Sequence, residues 1–292
     1  MKVLVLGGNG MLGHKLVQQL NSDFEVFATT RQPFAKLERF GIFESGRTFD
    51  NVDVENVAEL ERVISAVRPD VVINAVGIIK QLPSSKDVIT TLSVNSILPH
   101  RLHELADRYS FRLVCVSTDC VFGGGKGMYS ENDPADAYDL YGRSKNLGEV
   151  VAENCLTLRT SIIGRELTSE HSMVEWFLSN RGKTVNGYVN AIYSGFPTIE
   201  FTDIIANLLR EHRDLHGLYH VSSEPINKFE LLGMINQQFD SNIEIERFED
   251  FAIDRSLDSS RFRAVTGFEP PTWQEMVRKM AADPTPYDAF RK

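Results

Sequence analysis

Short apolar runs alternate with helical periodicity over the first half of the chain. The runs Val3–Leu6, Phe24–Ala28, Val71–Ile73, Leu113–Val116 and Leu156–Leu158 predict strands. Apolar residues at helical spacing predict helices at Met11–Leu20, Asn56–Val67, within Ile89–Tyr109 and at Tyr141–Ala152. Continuous Val, Ile and Leu runs between helices are typical of parallel strands that are buried on both faces. The pattern therefore predicts an α/β fold with a doubly wound parallel sheet of the Rossmann type.

The pattern becomes less regular after about Ile163. It predicts helices at Met173–Leu178, Asp203–Leu209 and Phe229–Phe239, and a strand at Gly217–Val221. The tail from Asp258 contains glycine and a pair of prolines, which predicts a partly irregular segment. We expect a first domain over residues 1–163, to which residues 198–222 return, and a smaller C-terminal domain over residues 164–292.

The composition excludes several classes of protein. With 42% hydrophobic residues among 292, the chain can bury a large core. A net charge of −9 argues against binding to nucleic acid or to an anionic membrane. The N-terminus does not resemble a signal peptide, and three cysteines do not make a disulfide framework. We therefore expect a cytoplasmic protein.

A glycine-rich turn follows the first predicted strand and opens the first predicted helix. Gly7 suits the tight turn, Gly10 allows the backbone to approach a pyrophosphate, and Gly13 allows close packing of the helix. The helix N-terminus adds amide donors and a favourable dipole for an anion. The expected cofactor contacts in this loop are Gly7, Asn9, Gly10, Met11, Leu12 and Gly13.

The same loop points to the class of cofactor. Its G-x-x-G-x-x-G spacing resembles that of the extended short-chain dehydrogenase/reductases. No carboxylate follows the second strand to accept the ribose hydroxyl of NAD, whereas Arg31 suits the 2′-phosphate of NADP. We therefore expect NADP(H), with NADPH preferred over NADH. The resemblance adds the cofactor contacts Asp53, Val54, Ala75, Val76, Gly77 and Asn95.

A tyrosine and a lysine four positions apart provide the strongest chemical signal. Tyr141 and Lys145 share one face of a predicted helix, and Ser117 and Thr118 end the fifth predicted strand. A nearby ammonium lowers the pKa of a phenol, so we expect Lys145 to lower that of Tyr141. The group resembles the Ser/Thr-Tyr-Lys triad of short-chain dehydrogenase/reductases, with Thr118 as the matched hydroxyl and Ser117 as its assistant.

Segments along nearly the whole chain narrow this resemblance to the dTDP-4-dehydrorhamnose reductase family. They are Ser117–Phe122, Tyr129–Glu131, Asp133–Pro134, Tyr141–Lys145, Gly148–Glu149, Leu158–Ser161, Gly217–Ser222 and the stretch Arg255–Arg261. The resemblance implies that NADPH reduces the C4 ketone of a nucleotide-activated deoxy-sugar in cell-surface polysaccharide biosynthesis. Tyr141 would donate the proton, Lys145 would hold the nicotinamide ribose, and the C-terminal domain would bind the sugar nucleotide. The protein would be a monomer or a homodimer.

The sugar-nucleotide pocket is less well defined by the sequence. The expected substrate contacts are Lys80, Cys120, Val121, Phe122, Arg159, His171, Trp176 and Arg255. Arg159, Arg255 and Arg261 have the chemistry to clamp a diphosphate. Two departures from the family pattern concern this pocket: Cys120 stands where tyrosine is usual, and residues 77–81 differ from the usual continuation.

Two alternative functions remain open from the sequence. Cys120 and His171 have the offsets of the epimerisation acid and base in GDP-fucose synthases, which they resemble, so a bifunctional epimerase-reductase is one alternative. The other is a non-catalytic NADP-binding subunit, because the fold also resembles the regulatory subunit of methionine adenosyltransferase. We expect no metal site, since His212 and His216 precede the helix-ending Gly217 and suit the helix dipole.

Overall fold

A seven-stranded parallel sheet forms the centre of the fold. The computed structural model describes residues 1–81 and 83–291. The strands are β1 (Lys2–Leu6), β2 (Glu25–Thr29), β3 (Thr48–Phe49), β4 (Val71–Asn74), β5 (Arg112–Thr118), β6 (Cys155–Thr160), β7 (Ile162–Ile163), β8 (Thr184–Tyr193), β9 (Phe196–Pro197), β10 (Gly217–His220), β11 (Ile226–Asn227) and β12 (Glu244–Asp254). The large sheet has the order β10-β6-β5-β4-β1-β2-β3. The predicted doubly wound α/β fold is confirmed.

Helices cover both faces of this sheet. They are α1 (Gly13–Leu20), α2 (Val57–Val67), α3 (Val88–Leu92), α4 (Leu98–Tyr109), α5 (Leu140–Leu147), α6 (Met173–Leu178), α7 (Thr198–Glu211), α8 (Lys228–Gln238), α9 (Ser260–Thr266), α10 (Trp273–Ala281) and α11 (Tyr287–Phe290). Val3 and Val5 pack in the core that includes α1, α7 and α10, whereas Leu4 and Leu6 pack in the core that includes α2 and α4. Burial of both faces explains the uninterrupted apolar run of β1. Among the described residues, no helix is long and apolar enough to cross a membrane.

The strand order reverses between β1 and β4. The chain proceeds outward from β1 through β2 to β3, and β4 then lies on the other side of β1. In open α/β sheets, ligands bind outside the carboxyl ends of the strands at such a point. The turns that follow β1, β4 and β5 therefore lie together at one edge of the sheet.

A second sheet, with three strands in the order β11-β8-β12, is separate from the seven-stranded sheet. The hydrophobic pattern does not predict β8 or β12. β12 is an edge strand with the sequence EIERFEDFAID, and most of its side chains are exposed. Charged side chains protect such an edge from further pairing, and they also hide the strand from a search for apolar runs.

Two predicted helices have different limits in the structure. The helix expected over Tyr141–Ala152 ends at Leu147. The next residue, Gly148, lies so close to Asn95 that a Cβ there would lie 2.0 Å from the Asn95 carbonyl oxygen. The helix expected within Ile89–Tyr109 is divided by a π-helical segment, Ser93–Ile97, between α3 and α4. Both deviations occur where α5 packs closely against the π segment.

The tail packs against the N-terminal helix. It forms α9, α10 and α11, and its glycine and its pair of adjacent prolines lie in the irregular stretch 267–272 between α9 and α10, as the sequence predicts. His14 is fully buried, with Nδ1 2.9 Å from the Gly10 carbonyl oxygen and Nε2 2.8 Å from the Tyr287 hydroxyl. The buried Lys15 ammonium lies 2.6 Å from the Asp283 carboxylate. The end of the chain therefore contacts the helix that follows the glycine loop.

The same tail also contacts the helix α6. Arg165 Nε donates to Glu175 at 2.6 Å, and Arg165 Nη2 donates to Asp288 at 2.6 Å. Arg291 Nη2 donates to the Glu166 carbonyl oxygen at 2.7 Å, and its Nη1 also contacts Glu175. Residues 283–291 thus bridge α1 and α6.

His14 is expected to make stability depend on pH. Burial lowers its pKa from 6.5 to about 4, so the unfolded chain binds the proton more readily. The folded state is then favoured above pH 6.5 and loses about 3 kcal/mol of stability as the pH falls to 4. Urea unfolding at several pH values should show this loss, and His14→Gln should lack it.

An exposed histidine provides the control for this measurement. His216→Gln should keep the pH dependence of the wild type, because His216 is exposed. Parallel pH profiles for the wild type and His14→Gln would contradict the role assigned to His14.

Candidate active site

The backbone of the glycine loop packs so tightly that a Cβ does not fit at Gly7 or Gly13. Gly7 has a φ of +78°, and a Cβ there would lie 2.9 Å from Val76 Cγ2. A Cβ on Gly13 would lie 2.0 Å from the Gly7 carbonyl oxygen, so α1 packs directly on the turn. Gly10 is exposed. These features leave backbone amides at a helix N-terminus open to an anion, which fits the diphosphate of a dinucleotide.

The other predicted cofactor residues lie around this loop. Arg31 is exposed and directly follows the buried Thr29 and Thr30 at the end of β2. Asp53 and Gly77 are exposed. The remaining predicted contacts are Asn9, Met11, Val54, Ala75 and Val76, which are partly buried, and Leu12, which is buried. The exposed Arg31 guanidinium is available to a phosphate group.

Asn95 uses its side-chain amide within the protein. Its Oδ1 accepts the Ile78 N–H at 2.8 Å, and its Nδ2 donates to the Ile78 carbonyl at 2.9 Å and to Ser144 Oγ at 3.2 Å. These bonds occupy both N–H donors and one lone pair of the acceptor oxygen. Asn95 therefore ties the turn after β4 to α5, and its N–H groups are not free to contact a cofactor.

The triad residues come together at the carboxyl end of β5. Asp139 caps α5 by accepting the Gly142 N–H at 2.8 Å, which places Tyr141 in the first helical turn. A Cβ on Gly142 would lie 2.1 Å from the Cys120 carbonyl oxygen, so α5 packs directly against the turn after Thr118. Lys145 Nζ donates to the Val116 carbonyl at 2.8 Å. Tyr141 and Lys145 are thereby fixed beside the strand end that contains Thr118.

The pKa of Tyr141 moves in the direction opposite to our expectation. Burial raises it above its ordinary value, the acidic groups of Cys120, Asp119 and Asp139 raise it further, and the Thr118 hydroxyl opposes the shift. Burial also lowers the pKa of Lys145. The expected lowering of the Tyr141 pKa by Lys145 is therefore wrong for this structure, because desolvation of the phenol dominates. Tyr141 is protonated at neutral pH, as a proton donor must be.

Ser117 does not act beside Thr118 as expected. Its hydroxyl donates to Glu149 Oε1 at 2.6 Å. Glu149 in turn accepts both Arg159 Nε and Arg159 Nη2 at 2.7 Å, and Arg159 is only 6% exposed. A guanidinium held in this bidentate pair is not available to clamp a diphosphate, so the expected substrate contact of Arg159 is corrected.

Lys80, Cys120 and Arg255 lie close to the triad. Lys80 Nζ lies 5.6 Å from the centre of the Tyr141 ring and donates to Asp139 at 2.7 Å. Arg255 Nη1 lies 3.8 Å from Cys120 Sγ, and Arg255 Nε donates to the Phe122 carbonyl at 2.8 Å. Burial raises the pKa of Cys120 to about 12, so its thiol keeps the proton and is a poor base.

Two of the expected substrate contacts belong to the core. Val121 and Phe122 are both 0% exposed, and the Phe122 ring stacks on Tyr129 with ring centres 4.2 Å apart. These side chains support the turn after β5 and do not face a ligand. Arg261 is exposed and stacks on Tyr219 at 4.6 Å.

A cleft of about 400 Å³ opens between α6, β8 and the start of α8. It is lined by Gln81, Glu170, His171, Met173, Trp176, Asn186, Tyr188, Lys228 and Leu232. His171 and Trp176 were predicted from the sequence as substrate contacts. The residues Asn186 and Tyr188 were missed because β8 itself was not predicted. Among the described residues, no group of His, Cys, Asp and Glu side chains is suited to hold a metal ion.

Lys228 is the missed residue with the clearest chemistry. It is the first residue of α8, partly buried, and burial lowers its pKa while Asp119 and Cys120 oppose that shift. Its ammonium is therefore electrostatically linked to the turn after Thr118. The sequence signal was Asn227, whose side chain caps α8 by accepting the Glu230 N–H at 2.8 Å. An N-cap identifies the helix start but not what the next side chain faces.

The chain is similar to known proteins over nearly its full length. A family model described as the RmlD substrate binding domain matches residues 1–285. The chain is 24% identical to a dTDP-4-dehydrorhamnose reductase of Aggregatibacter actinomycetemcomitans, over 96% of this chain and 98% of that relative.

Two solved structures have the same fold. A hypothetical dTDP-4-dehydrorhamnose reductase from Sulfolobus tokodaii is 28% identical and superposes with a TM-score of 0.78, covering 94% of this chain and 98% of that chain. A dTDP-4-dehydrorhamnose reductase from Bacillus anthracis, solved in complex with NADP, is 21% identical with a TM-score of 0.78, covering 96% and 98% of the two chains.

Proposed function

This chain belongs to the RmlD substrate binding domain family, and from that premise we propose that it is an NADPH-dependent reductase of the C4 ketone of a nucleotide-activated deoxy-sugar. The supporting observation is the arrangement of Tyr141 and Lys145 beside the Thr118 end of β5, at the sheet edge that also holds the glycine loop. The product would serve cell-surface polysaccharide biosynthesis. The sugar nucleotide is the partner that this reaction requires.

The cofactor is proposed to lie across the carboxyl ends of β1, β2 and β4. The loop from Gly7 to Gly13 would bind its diphosphate, Arg31 would bind the 2′-phosphate, and Lys145 would hold the nicotinamide ribose. NADPH supplies the hydride when it is bound. The NADP complex of the Bacillus anthracis relative supports this choice of cofactor.

Tyr141 is proposed to donate the proton that completes the alcohol. The phenol is protonated at neutral pH, so Tyr141 enters the reaction as an acid. The Thr118 hydroxyl, which interacts with this phenol, would orient the ketone oxygen. The Lys145 ammonium would stabilise the phenolate that remains after proton transfer.

The cleft beside α6 is proposed to receive the sugar nucleotide. Trp176 is 42% exposed there and offers an aromatic face, while His171 and Lys228 offer polar groups. We propose the division of labour that the sequence predicts, with residues 1–163 and 198–222 binding the cofactor and residues 164–292 mainly binding substrate. Residues 273–290 connect the two halves, because α10 packs against both α8 and α7 and Tyr287 contacts His14.

Arg31→Ala is expected to weaken NADPH binding about 10- to 100-fold and to leave NADH binding unchanged, because the exposed guanidinium would lose its contact with the 2′-phosphate. Titration of both cofactors by fluorescence measures this. Lys36→Ala removes a positive charge from another exposed position in the same region and should change neither affinity. Equal losses for NADPH and NADH would contradict the role of Arg31.

The function is tested by NADPH oxidation with a panel of 4-keto-6-deoxy sugar nucleotides that differ in nucleobase and sugar configuration. We expect substrate-dependent oxidation with at least one member. Tight NADPH binding without oxidation of any member would overturn the proposed reaction and would favour a non-catalytic NADP-binding subunit.

The same assay in heavy water distinguishes the bifunctional epimerase-reductase. A simple reductase should leave the carbons that flank the ketone free of solvent deuterium, whereas epimerisation exchanges their protons. The pKa of about 12 keeps the Cys120 thiol protonated at neutral pH, so in an epimerisation Cys120 would serve as the acid and His171 as the base. Deuterium at either flanking carbon would restore the epimerase hypothesis for Cys120 and His171.

A further inference from the structure

Helix α5 and the turn that follows it are tied to the last residues of β5 at two points. Lys145 Nζ donates to the Val116 carbonyl at 2.8 Å, and the next residue of the strand, Ser117, donates to Glu149 at 2.6 Å. The strand continues directly into Thr118. Glu149 therefore contacts the strand residue that lies between Val116, the partner of Lys145, and Thr118.

Glu149 is itself held by a buried network from the neighbouring strands. Arg159 of β6 contacts both of its carboxylate oxygens at 2.7 Å. Arg159 Nη1 lies 3.2 Å from His220 Nε2 of β10, and His220 Nδ1 lies 2.8 Å from the Tyr129 carbonyl oxygen. Since Arg159 can only donate, His220 must accept at Nε2 and donate from Nδ1, which requires a neutral ring. Burial and the Arg159 charge lower the pKa of His220, consistent with that state.

Stability alone does not account for this network. Taking a carboxylate and a guanidinium out of water costs several kcal/mol, and apolar side chains of similar volume often fill such a site equally well. The side chains of Arg159 and Glu149 are only 8% and 6% exposed. The buried ion pair beside the sheet therefore has to be explained by another effect of the carboxylate.

The charges around Lys145 indicate what the carboxylate does. Burial lowers the pKa of Lys145, and two acidic groups oppose this shift: Cys115 on β5 and Glu149 after α5. Cys115 has its own pKa raised well above the ordinary value, so it is neutral and contributes little at neutral pH. The Glu149 carboxylate is thus the charge that favours a cationic Lys145.

We propose that Glu149 is a positioning residue that fixes the end of β5 through Ser117, and with it both Thr118 and the Val116 carbonyl to which Lys145 donates, with Arg159 and His220 locking its orientation. This inference rests on the proposed reductase function, because the triad must act for its positioning to matter. Glu149 touches neither the reacting atoms nor the cofactor in this assignment. It acts through Lys145 and Ser117.

The test uses Glu149→Gln together with a double variant. Glu149→Gln should lower kcat about 10- to 100-fold, with little change in KM. Because this variant leaves the Arg159 charge unpaired, its folding is checked by circular dichroism. Glu149→Met with Arg159→Met removes both charges, should fold, and should show a similar loss of kcat. The exposed Glu153→Gln is the matched control and should keep wild-type kcat.

A second readout does not depend on activity. In protein labelled with [ε-13C]lysine, the Lys145 signal, assigned with Lys145→Arg, should titrate at lower pH in both Glu149 variants than in the wild type. Unchanged Lys145 titration and wild-type kcat in the folded double variant would overturn the positioning role. If the wild type reduced no substrate, the proposed function would fail, and the Lys145 titration would still decide the role of Glu149.

Discussion

Tyr141→Phe is expected to lower kcat about 1,000-fold with the sugar-nucleotide substrate, because it removes the proton donor and leaves the ring in place. The ring lies under the Lys80 ammonium at 5.6 Å, a contact that phenylalanine keeps. NADPH affinity and thermal stability should therefore stay near the wild-type values. Steady-state kinetics and fluorescence titration of NADPH measure the two effects separately.

Tyr138→Phe is the matched control for this variant. Tyr138 lies three residues before Tyr141 and is 79% exposed, so the loss of its hydroxyl should leave kcat unchanged. If Tyr141→Phe kept the wild-type kcat, a group other than Tyr141 would have to donate the proton.

Gly13→Ala is expected to weaken NADPH binding at least about 100-fold and to destabilise the fold by about 3 kcal/mol. The added Cβ would lie 2.0 Å from the Gly7 carbonyl oxygen and 2.9 Å from the Gly7 carbonyl carbon. Both neighbours are backbone atoms, so α1 or the turn has to move. Either movement displaces the amides that would bind the diphosphate. NADPH titration and urea unfolding measure the two losses.

Gly233→Ala is the matched control, and we expect it to have the opposite effect on stability. Gly233 lies inside α8 and is exposed, and a Cβ added there would project into open space, with no other element within 4 Å. Alanine there should stabilise the protein by about 0.5–1 kcal/mol, because glycine disfavours a helix interior. Normal NADPH affinity in Gly13→Ala would show that the close packing of the loop is not required for binding.

The hydrophobic pattern predicts the strands that are buried on both faces and misses those that are not. β1, β4 and β5 contain continuous apolar runs, and such runs arise because helices cover both sides of the sheet. β8 has only one buried face and β12 is an exposed, charged edge, so neither has a comparable signal. The sequence therefore predicts the cleft next to these strands only from α6 and the residues just before it.

The triad was predictable because its members lie near strand and helix ends, whose position follows from topology. The pairing of Ser117 with Glu149 was not. Ser117 and Thr118 are consecutive in a strand and so point to opposite faces, and Ser117 is aligned with Arg159 in the register of β5 and β6. That register depends on packing in three dimensions. The pKa of Tyr141 also depends on depth of burial, which spacing alone does not give.

The contact between His14 and Tyr287 also constrains how the protein can be made. These two residues are separated by 273 positions, and the contact buries the first helix of the cofactor half. During synthesis that helix cannot complete its packing until residues 283–291 have emerged from the ribosome. Such long-range closure slows folding and leaves apolar surface exposed in the meantime. The N-terminal half expressed alone is therefore expected to aggregate, so studies of cofactor binding require a chain that includes the tail.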